Sequence, residues 1–321
     1  MRVGLYTLSM VLLVIAPFWG ETHLNYQELF NFDSTTAVVF WDLRVSRVIL
    51  AFFVGGILAL SGLIFQIIFK NELITPYTLG IASGTTLFTA ISIVFFPVFY
   101  ITFSSMLGSL LTVFILYFIA KQINKSSIAV STNSILLIGI ALSYFYASAL
   151  MLVFYVSNLQ ENYSIVRFTL GSLDTVGFTM AFIAMGVSLV FLSIILAYKS
   201  KIKLLLICND TAFLKGLNVH KTNLILLIVV SLSVGVSISF VGPIGFIGLV
   251  IPHIIRLIYK RSAHNLFIPV FFFGGIFLVF SDLIARNLNT DSALPIGVVT
   301  AFIGAPFFVY LLIKRNKRNT H

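Results

Sequence analysis

The 321-residue chain has little cysteine and little charge. Its single cysteine, Cys208, excludes a disulfide framework and any metal site built on thiolates. Only 9% of its residues are charged and 59% are hydrophobic. A soluble domain carries about 25% charged residues, so the composition is that of a polytopic membrane protein. Catalytic signatures are absent too. No G-x-x-x-x-G-K-[ST], H-E-x-x-H or G-x-S-x-G occurs, which excludes nucleotide binding by a P-loop and the zinc and serine hydrolase devices. The five histidines, at 23, 220, 253, 264 and 321, are scattered, and none has another at metal-ligand helical spacing. Carboxylates are equally sparse inside the apolar runs. Asp282 alone lies near the interior of one, close to its boundary, which argues against a transporter driven by a proton or ion gradient. No enzyme activity, cofactor or metal is expected.

What is present is a series of apolar runs of spanning length. They fall at about 3–20, 45–69, 78–96, 98–120, 135–157, 177–198, 222–240, a short one ending at Arg256, 266–284 and 295–313. No small-residue cleavage pattern follows the first, so it reads as a retained helix. The expected architecture is all-α, with about ten spans in one transmembrane domain over 1–321. Residues 21–43, with Glu21, Glu28, Asp33 and Asp42, form a mixed acidic loop. Gln160 to Asp174 is a polar connection. Lys199 to Lys221 is the longest basic interruption, and Leu204–Ile207 and Ala212–Leu217 suit two short amphipathic helices parted by Asn209-Asp210, a plausible cap. With the N-terminus inside, sixteen of the twenty Lys and Arg fall inside and four outside, a strong positive-inside bias that puts both termini in the cytoplasm. That distribution accounts for the net charge of +10 as a cytoplasmic edge, with no need for nucleic acid.

Phe240 to Arg256 interrupts this pattern with Gly242, Gly245, Gly248, Pro243 and Pro252, followed by His253 and Arg256. Glycine and proline weaken a helix, and lipid cannot satisfy the freed backbone groups. The stretch therefore reads as a broken or short helix inside a bundle, either for close packing alone or with a role of its own. His253 reads as a hydrogen-bonded structural residue. Three of the four outside cations, Arg44, Arg47 and Arg286, sit at helix mouths. They suit either interfacial anchoring or a carboxylate-bearing partner, and Asp282, one turn before Arg286, is a competing local partner. A short echo links Pro76-x-x-x-Gly80-Ile81-x-Ser83 with Pro295-Ile296-Gly297-Val298-Val299-Thr300.

Taken together, these motifs resemble those of the FecCD-type permease subunits of ABC importers for iron–siderophore complexes, haem and cobalamin, over nearly the whole chain. Arg44-Val45-Ser46-Arg47 resembles R-x-P-R, with Ser46 in place of proline. Gly55-Gly56 through Ser61-Gly62 to Gln66 resembles G-x-x-L-x-x-S-G-x-x-x-Q. Asn71-Glu72-Leu73 with Pro76 to Gly84 resembles N-P-L-x-x-P-x-x-L-G-x-x-x-G, with Glu72 in place of proline. Phe240 to Arg256 resembles F-x-G-x-I-x-F-I-G-L-x-x-P-H-x-x-R, Asp282 and Arg286 fit D-x-x-x-R, and Leu294 to Gly297 fits L-P-x-G.

The resemblance implies the type II importer permease fold in a bacterial cytoplasmic membrane. It implies a second permease subunit, identical or closely related, a pair of cytoplasmic ATPase subunits, and an extracytoplasmic binding protein. Arg44, Arg47 and Arg286 would dock the binding protein. The 199–221 segment, with Leu205, Asp210, Ala212, Lys215 and Gly216, would couple to the ATPase, and Lys215 stands where the family has leucine. Asn71, Leu73, Ser131 and Thr132 would form the cytoplasmic gate. Ser143, Ala147 and Ser148 are candidates for the substrate path, although small residues also serve helix packing. The carried chelate is expected to be a ferric siderophore, with haem or cobalamin as the alternative. A channel without energy input is the other reading, which the basic coupling segment argues against.

Overall fold

The hub of the molecule is the longest apolar run. A computed structural model describes residues 2–20, 25–31, 34–96, 101–123, 132–174, 176–206, 212, 214–259, 263–288 and 294–319. The helices are α1 (Arg2–Ile15), α2 (Thr35–Ile68), α3 (Ile81–Phe95), α4 (Ile101–Ile123), α5 (Thr132–Val156) and α6 (Leu159–Leu170). They continue with α7 (Thr179–Ala197), α8 (Lys199–Leu205), α9 (Val219–Val241), α10 (Ile247–Tyr259), α11 (Phe267–Asn287) and α12 (Ile296–Asn319). Among the described residues, six are long and apolar enough to cross a membrane: α2, α4, α5, α7, α9 and α11. The apolar parts of α1, α3, α10 and α12 are shorter, at 10–17 residues.

A helix apolar all round must be surrounded by protein or by lipid, and α2 and α5 take the two alternatives. In α2, 83% of the most apolar window is buried, and in α5 17%. α2 packs along α11 and also touches α7, α9 and α10. The α2–α11 crossing is close because Gly55 and Gly274 meet there. A Cβ on Gly55 would lie 2.4 Å from the Gly274 carbonyl oxygen. Small residues allow this approach, and dispersion and backbone contact then hold the pair. A second layer, α3 with α4 and α9, is tied by small hydroxyl residues, with Thr89 and Ser105 in hydrogen-bond contact at 2.5 Å. Along α2, Val39–Val45 is wound as a π-helix, and the Ser46 N–H reaches back five residues to the Trp41 carbonyl.

Two polar connections differ from expectation. Gln160 to Asp174 is largely helical, as α6, because Asn158 and Glu161 form a reciprocal capping box at its start. The first short helix of the basic interruption, expected at Leu204–Ile207, is instead α8 at Lys199–Leu205. It follows α7 almost without a break, with the Ile202 N–H bonded to the Tyr198 carbonyl at 2.9 Å and with Ile202 and Leu205 buried. Asn209 and Asp210 lie outside the described residues. Further on, Gly216 takes φ +78° and the Leu217 N–H closes on the Ala212 carbonyl at 3.1 Å, a glycine-terminated helix end.

Phe240 to Arg256 is broken as its composition requires. α9 stops at Val241, and α10 starts at Ile247. The intervening backbone is covered by other chain breaks. Ser172 donates to the Val241 carbonyl at 2.9 Å, and Ile296, opening α12, donates to the Gly171 carbonyl at 3.2 Å. Protein thus satisfies groups that lipid could not.

Candidate functional site: two polar clusters at the ends of α2

The first cluster lies at the start of α2. α1 gives way after Ile15 to a short 3-10 turn, Ala16–Phe18, whose carbonyls lie past the regular helix. Two arginines supply donors. Arg44 Nη1 reaches the Pro17 and Phe18 oxygens at 3.4 and 3.3 Å, and Arg286 Nη2 reaches the Ala16 oxygen at 2.6 Å. A cation is favoured at a helix C-terminus by the dipole as well as by the hydrogen bond. Arg44 and Arg286 are only 6% and 8% exposed. Asp282, fully buried on α11, accepts from Arg47 Nε at 2.7 Å and lies 3.6 Å from Arg286 Nε, an ion contact longer than a hydrogen bond. Arg47 is the bridge, because its Nη1 also donates to Asp174 at 2.7 Å. Asp174 collects further donors from Arg167 at 2.8 Å and from Ser172 at 2.6 Å.

Burial pushes the Asp174 carboxyl up, but the Ser172 hydroxyl and the two arginines outweigh it and hold it below the ordinary carboxylate value. Arg167 is raised in turn, first by its hydrogen bond to Asp174. The expectation of Asp282 as a local partner for Arg286 is met only in part, since its short bond goes to Arg47, 235 positions away in sequence. Arg44, Arg47 and Arg286 face inward and hold the chain together. The solvent-accessible members of the cluster are Arg167 and Asp174, with side chains 56% and 37% exposed. The sequence reading passed over both.

The second cluster, at the far end of α2, joins two motifs that had been read separately. Pro252 has no N–H, so the Gly248 carbonyl four residues earlier loses its helical donor. Gln66 Nε2 on α2 supplies it at 3.1 Å. The approach is possible because Gly62 lies one turn before Gln66. A Cβ there would stand 2.0 Å from the Gly248 oxygen. Gln66 Oε1 accepts from Arg256 Nη2 at 2.8 Å, which fixes which way the amide points. Arg256 Nη1 lies 3.3 Å from Glu72 Oε1, and His253 Nδ1 is 3.8 Å from Glu72 Oε2. His253 thus stands in an ion-pair cluster, with no group of three metal-ligating side chains among the described residues. Arg47 and Gln66 are nineteen residues apart on one helix, about 28 Å at 1.5 Å per residue. That is close to the thickness of a bilayer's hydrocarbon core, about 30 Å.

The remaining expected residues divide as follows. Gly242 has φ +71°, and a Cβ there would meet the Phe168 oxygen at 2.1 Å, whereas Gly245 has only the Tyr77 ring near, at 3.8 Å. Asn71 accepts from the Leu73 N–H at 2.9 Å, and Leu73 is 45% exposed. Thr132 opens α5, while Ser131 lies outside the described residues. Ser143 turns back to the Gly139 carbonyl at 2.9 Å, and Ala147 and Ser148 are exposed on α5. Leu205 and Ala212 are buried, Lys215 and Gly216 are exposed, and Asp210 is outside the described residues.

A bundle of apolar helices whose central helix is pinned at both ends by polar clusters one bilayer core apart defines an all-α polytopic membrane protein. The chain belongs to the FecCD transport family, whose model matches residues 8–314. It is 31% identical over 300 residues to a Helicobacter pylori chain described as a probable iron chelatin transport system permease protein, covering 92% of this chain and 90% of that one. It is 30% identical over 321 residues to the vitamin B12 import system permease protein BtuC of Vibrio vulnificus, covering 98% and 94%. It is 28% identical over 330 residues to the hemin transport system permease protein HmuU of Yersinia pestis, covering 100% and 97%. A solved inward-facing structure, assigned to the metal-chelate type of ABC transporter, superposes with a TM-score of 0.84 at 27% identity, covering 97% of this chain and 98% of that one. The chain is a membrane permease subunit of the ABC metal-chelate importer type.

Proposed function

We propose that the chain is one of two permease subunits, identical or paired with a close relative, of an ATP-driven importer that carries a ferric siderophore across a bacterial cytoplasmic membrane. The match of nearly the whole chain to an inward-facing metal-chelate transporter is the observation that carries this reading. The four shorter apolar helices cross beside the six long ones, giving ten spans. The split of sixteen basic residues against four puts the Gln66 end and both termini in the cytoplasm. The chain itself performs no covalent chemistry. ATP binding and hydrolysis in separate cytoplasmic subunits shift it between two arrangements of its helices. The 199–221 segment takes that signal, with Leu205 and Ala212 as anchors, Lys215 and Gly216 at the contact surface and Asp210 between them. An extracytoplasmic binding protein docks at the arginine end. Arg44, Arg47 and Arg286 serve docking there by holding α1, α2 and α11 in register beneath the surface. Asn71, Leu73, Ser131 and Thr132 form the inner gate, and Ser143, Ala147 and Ser148 line the path.

Cobalamin is the second reading, since the Vibrio vulnificus relative named for vitamin B12 is as similar as the iron chelatin one. The deciding experiment loads vesicles holding the permease, its ATPase and its binding protein with ATP, and measures uptake of a labelled ferric siderophore, haem and cobalamin. ATP-dependent, vanadate-sensitive uptake of the siderophore alone is expected. Uptake of cobalamin alone would transfer the assignment to the second reading. Uptake that persists without the ATPase would overturn both.

A further inference from the structure

We propose that Glu72 is an ionic latch that positions the inner gate against α10, an inference that rests on the gate reading of Asn71 and Leu73. Glu72 lies against Arg256 and His253, three residues apart on α10, a spacing that puts them on one helix face. Arg256 Nη1 is at 3.3 Å and His253 Nδ1 at 3.8 Å. Arg256 uses its other terminal nitrogen for Gln66, which holds the Gly248 carbonyl left open by Pro252. The latch therefore ends on the backbone of the broken helix, and movement of the turn is felt at the α2–α10 crossing.

The turn is anchored at its far end, where Ile74 and Thr75 are buried, and stands out at its near end. There Leu73 is 45% exposed, and Lys70 takes a positive φ of 51° for a residue with a Cβ. The near end, residues 71–73, is held by the Asn71 N–H bonded to the Gln66 carbonyl at 3.2 Å, by the Asn71 side chain bonded to the Leu73 N–H, and by the Glu72 pair. The Glu72 side chain is 40% exposed and the Arg256 side chain 22%. A pair in that setting biases an equilibrium by up to about fivefold and is screened by salt. That scale suits a gate, because a tighter lock would hold it shut through the cycle.

The test uses the full transporter in lipid vesicles. Spin labels are placed at Leu73 and at Leu257, which is 50% exposed on α10, in a chain whose single cysteine has been replaced. The parent should show one short distance. Glu72→Gln should raise the longer-distance population by about two- to fivefold. High salt should do the same to the parent and add nothing to the variant. The exchange E72R/R256E rebuilds the ion pair but turns a carboxylate toward Gln66 Oε1, which faces position 256 while Nε2 holds the Gly248 carbonyl, so it should restore the parent distribution only in part. In unlabelled transporter, Glu72→Gln should shift ATP-driven uptake by a similar factor. Distances unmoved by Glu72→Gln, or moved distances with unchanged uptake, would overturn the latch. Absence of ATP-driven chelate uptake in the parent would overturn the gate reading instead, and the distance measurement would still report whether the ion pair holds the turn.

Discussion

The two ends of α2 solve the same problem with opposite chemistry. Each faces backbone carbonyls outside regular helical bonding, at Ala16 to Phe18 past the end of α1 and at Gly248 below Pro252. At the arginine end the donors are charged, nearly buried, and balanced by the fully buried Asp282 and by Asp174. At the other end the donor is the neutral amide of Gln66, and the charges stand further out, on Arg256 and Glu72. A buried network of ions costs much to break, because every lost partner leaves a desolvated charge. An amide with an outlying ion pair costs little to rearrange. The arginine end, which joins α1, α2 and α11, is thus the costlier of the two to rearrange, and the glutamine end the cheaper.

The sharpest disruption is steric and falls where the second end depends on backbone approach. Gly62→Leu places a Cβ where the Gly248 carbonyl lies, with no side chain there to yield. It should prevent stable accumulation, with a loss of several kcal/mol. Gly186→Ala is the control, since a Cβ there meets nothing within 4 Å. Equal membrane levels and melting temperatures for the two variants would break the account of the α2–α10 crossing. Next in size is Asp282→Asn, which leaves Arg47 and Arg286 facing an uncharged group. A loss of about 3–5 kcal/mol is expected, read as a lower melting temperature in detergent. A loss no larger than that of Glu72→Gln would erase the contrast between a buried and an outlying network.

Much of this arrangement could be read from the chain, and the reason it stops where it does is physical. Hydropathy marks a span by local composition, so α4, α5, α7, α9 and α11 fall near their expected limits, whereas α2 starts at Thr35, ten residues before the expected 45 and within the stretch read as an acidic loop. The break at 242–246 was legible because Gly242 and Pro243 act on their own backbone. Pro252 even announces that the Gly248 carbonyl is open. It does not say that Gln66, 182 positions earlier, closes it, since that depends on how two helices cross. The arginines show the same limit. Their scarcity at one end is visible in the sequence. Whether Arg44 points to a partner or caps α1 depends on where that helix ends in space. α6 hid in a polar stretch because its mean hydropathy is low, although its Asn158-x-x-Glu161 capping box was in plain view.

Smaller effects sharpen the comparison further. Gln66→Leu removes the donor to Gly248 and the acceptor for Arg256, and should cost about 1–2 kcal/mol. Pro252→Ala restores an N–H four residues after Gly248, so the helix can satisfy that carbonyl itself. In that background Gln66→Leu should cost clearly less, a coupling that a double-mutant cycle reads directly. Strictly additive losses would show that Gln66 does not repair the proline break.

The smallest effect belongs to Asp174, the exposed member of the otherwise buried network. Its carboxyl is held below the ordinary value, so the unfolded chain takes up a proton at higher pH than the folded one. Its contribution is therefore complete above the unfolded carboxylate pKa of about 3.9, and is lost as pH falls through the lower folded value. Stability attributable to Asp174 should be flat from neutral pH down to about pH 5 and should decline in stronger acid. Its side chain is 37% exposed, so solvent screens the pairs and Asp174→Asn should cost less than about 1 kcal/mol. The Asn variant should lose the Asp174 share of the acid-dependent slope while keeping the response of the rest of the protein. Asp282→Asn should cost several times more at every pH, because no water is available to replace its partners. If Asp174→Asn proved as damaging as Asp282→Asn at neutral pH, burial would not be what separates anchor from surface, and the two ends of α2 would differ in charge alone.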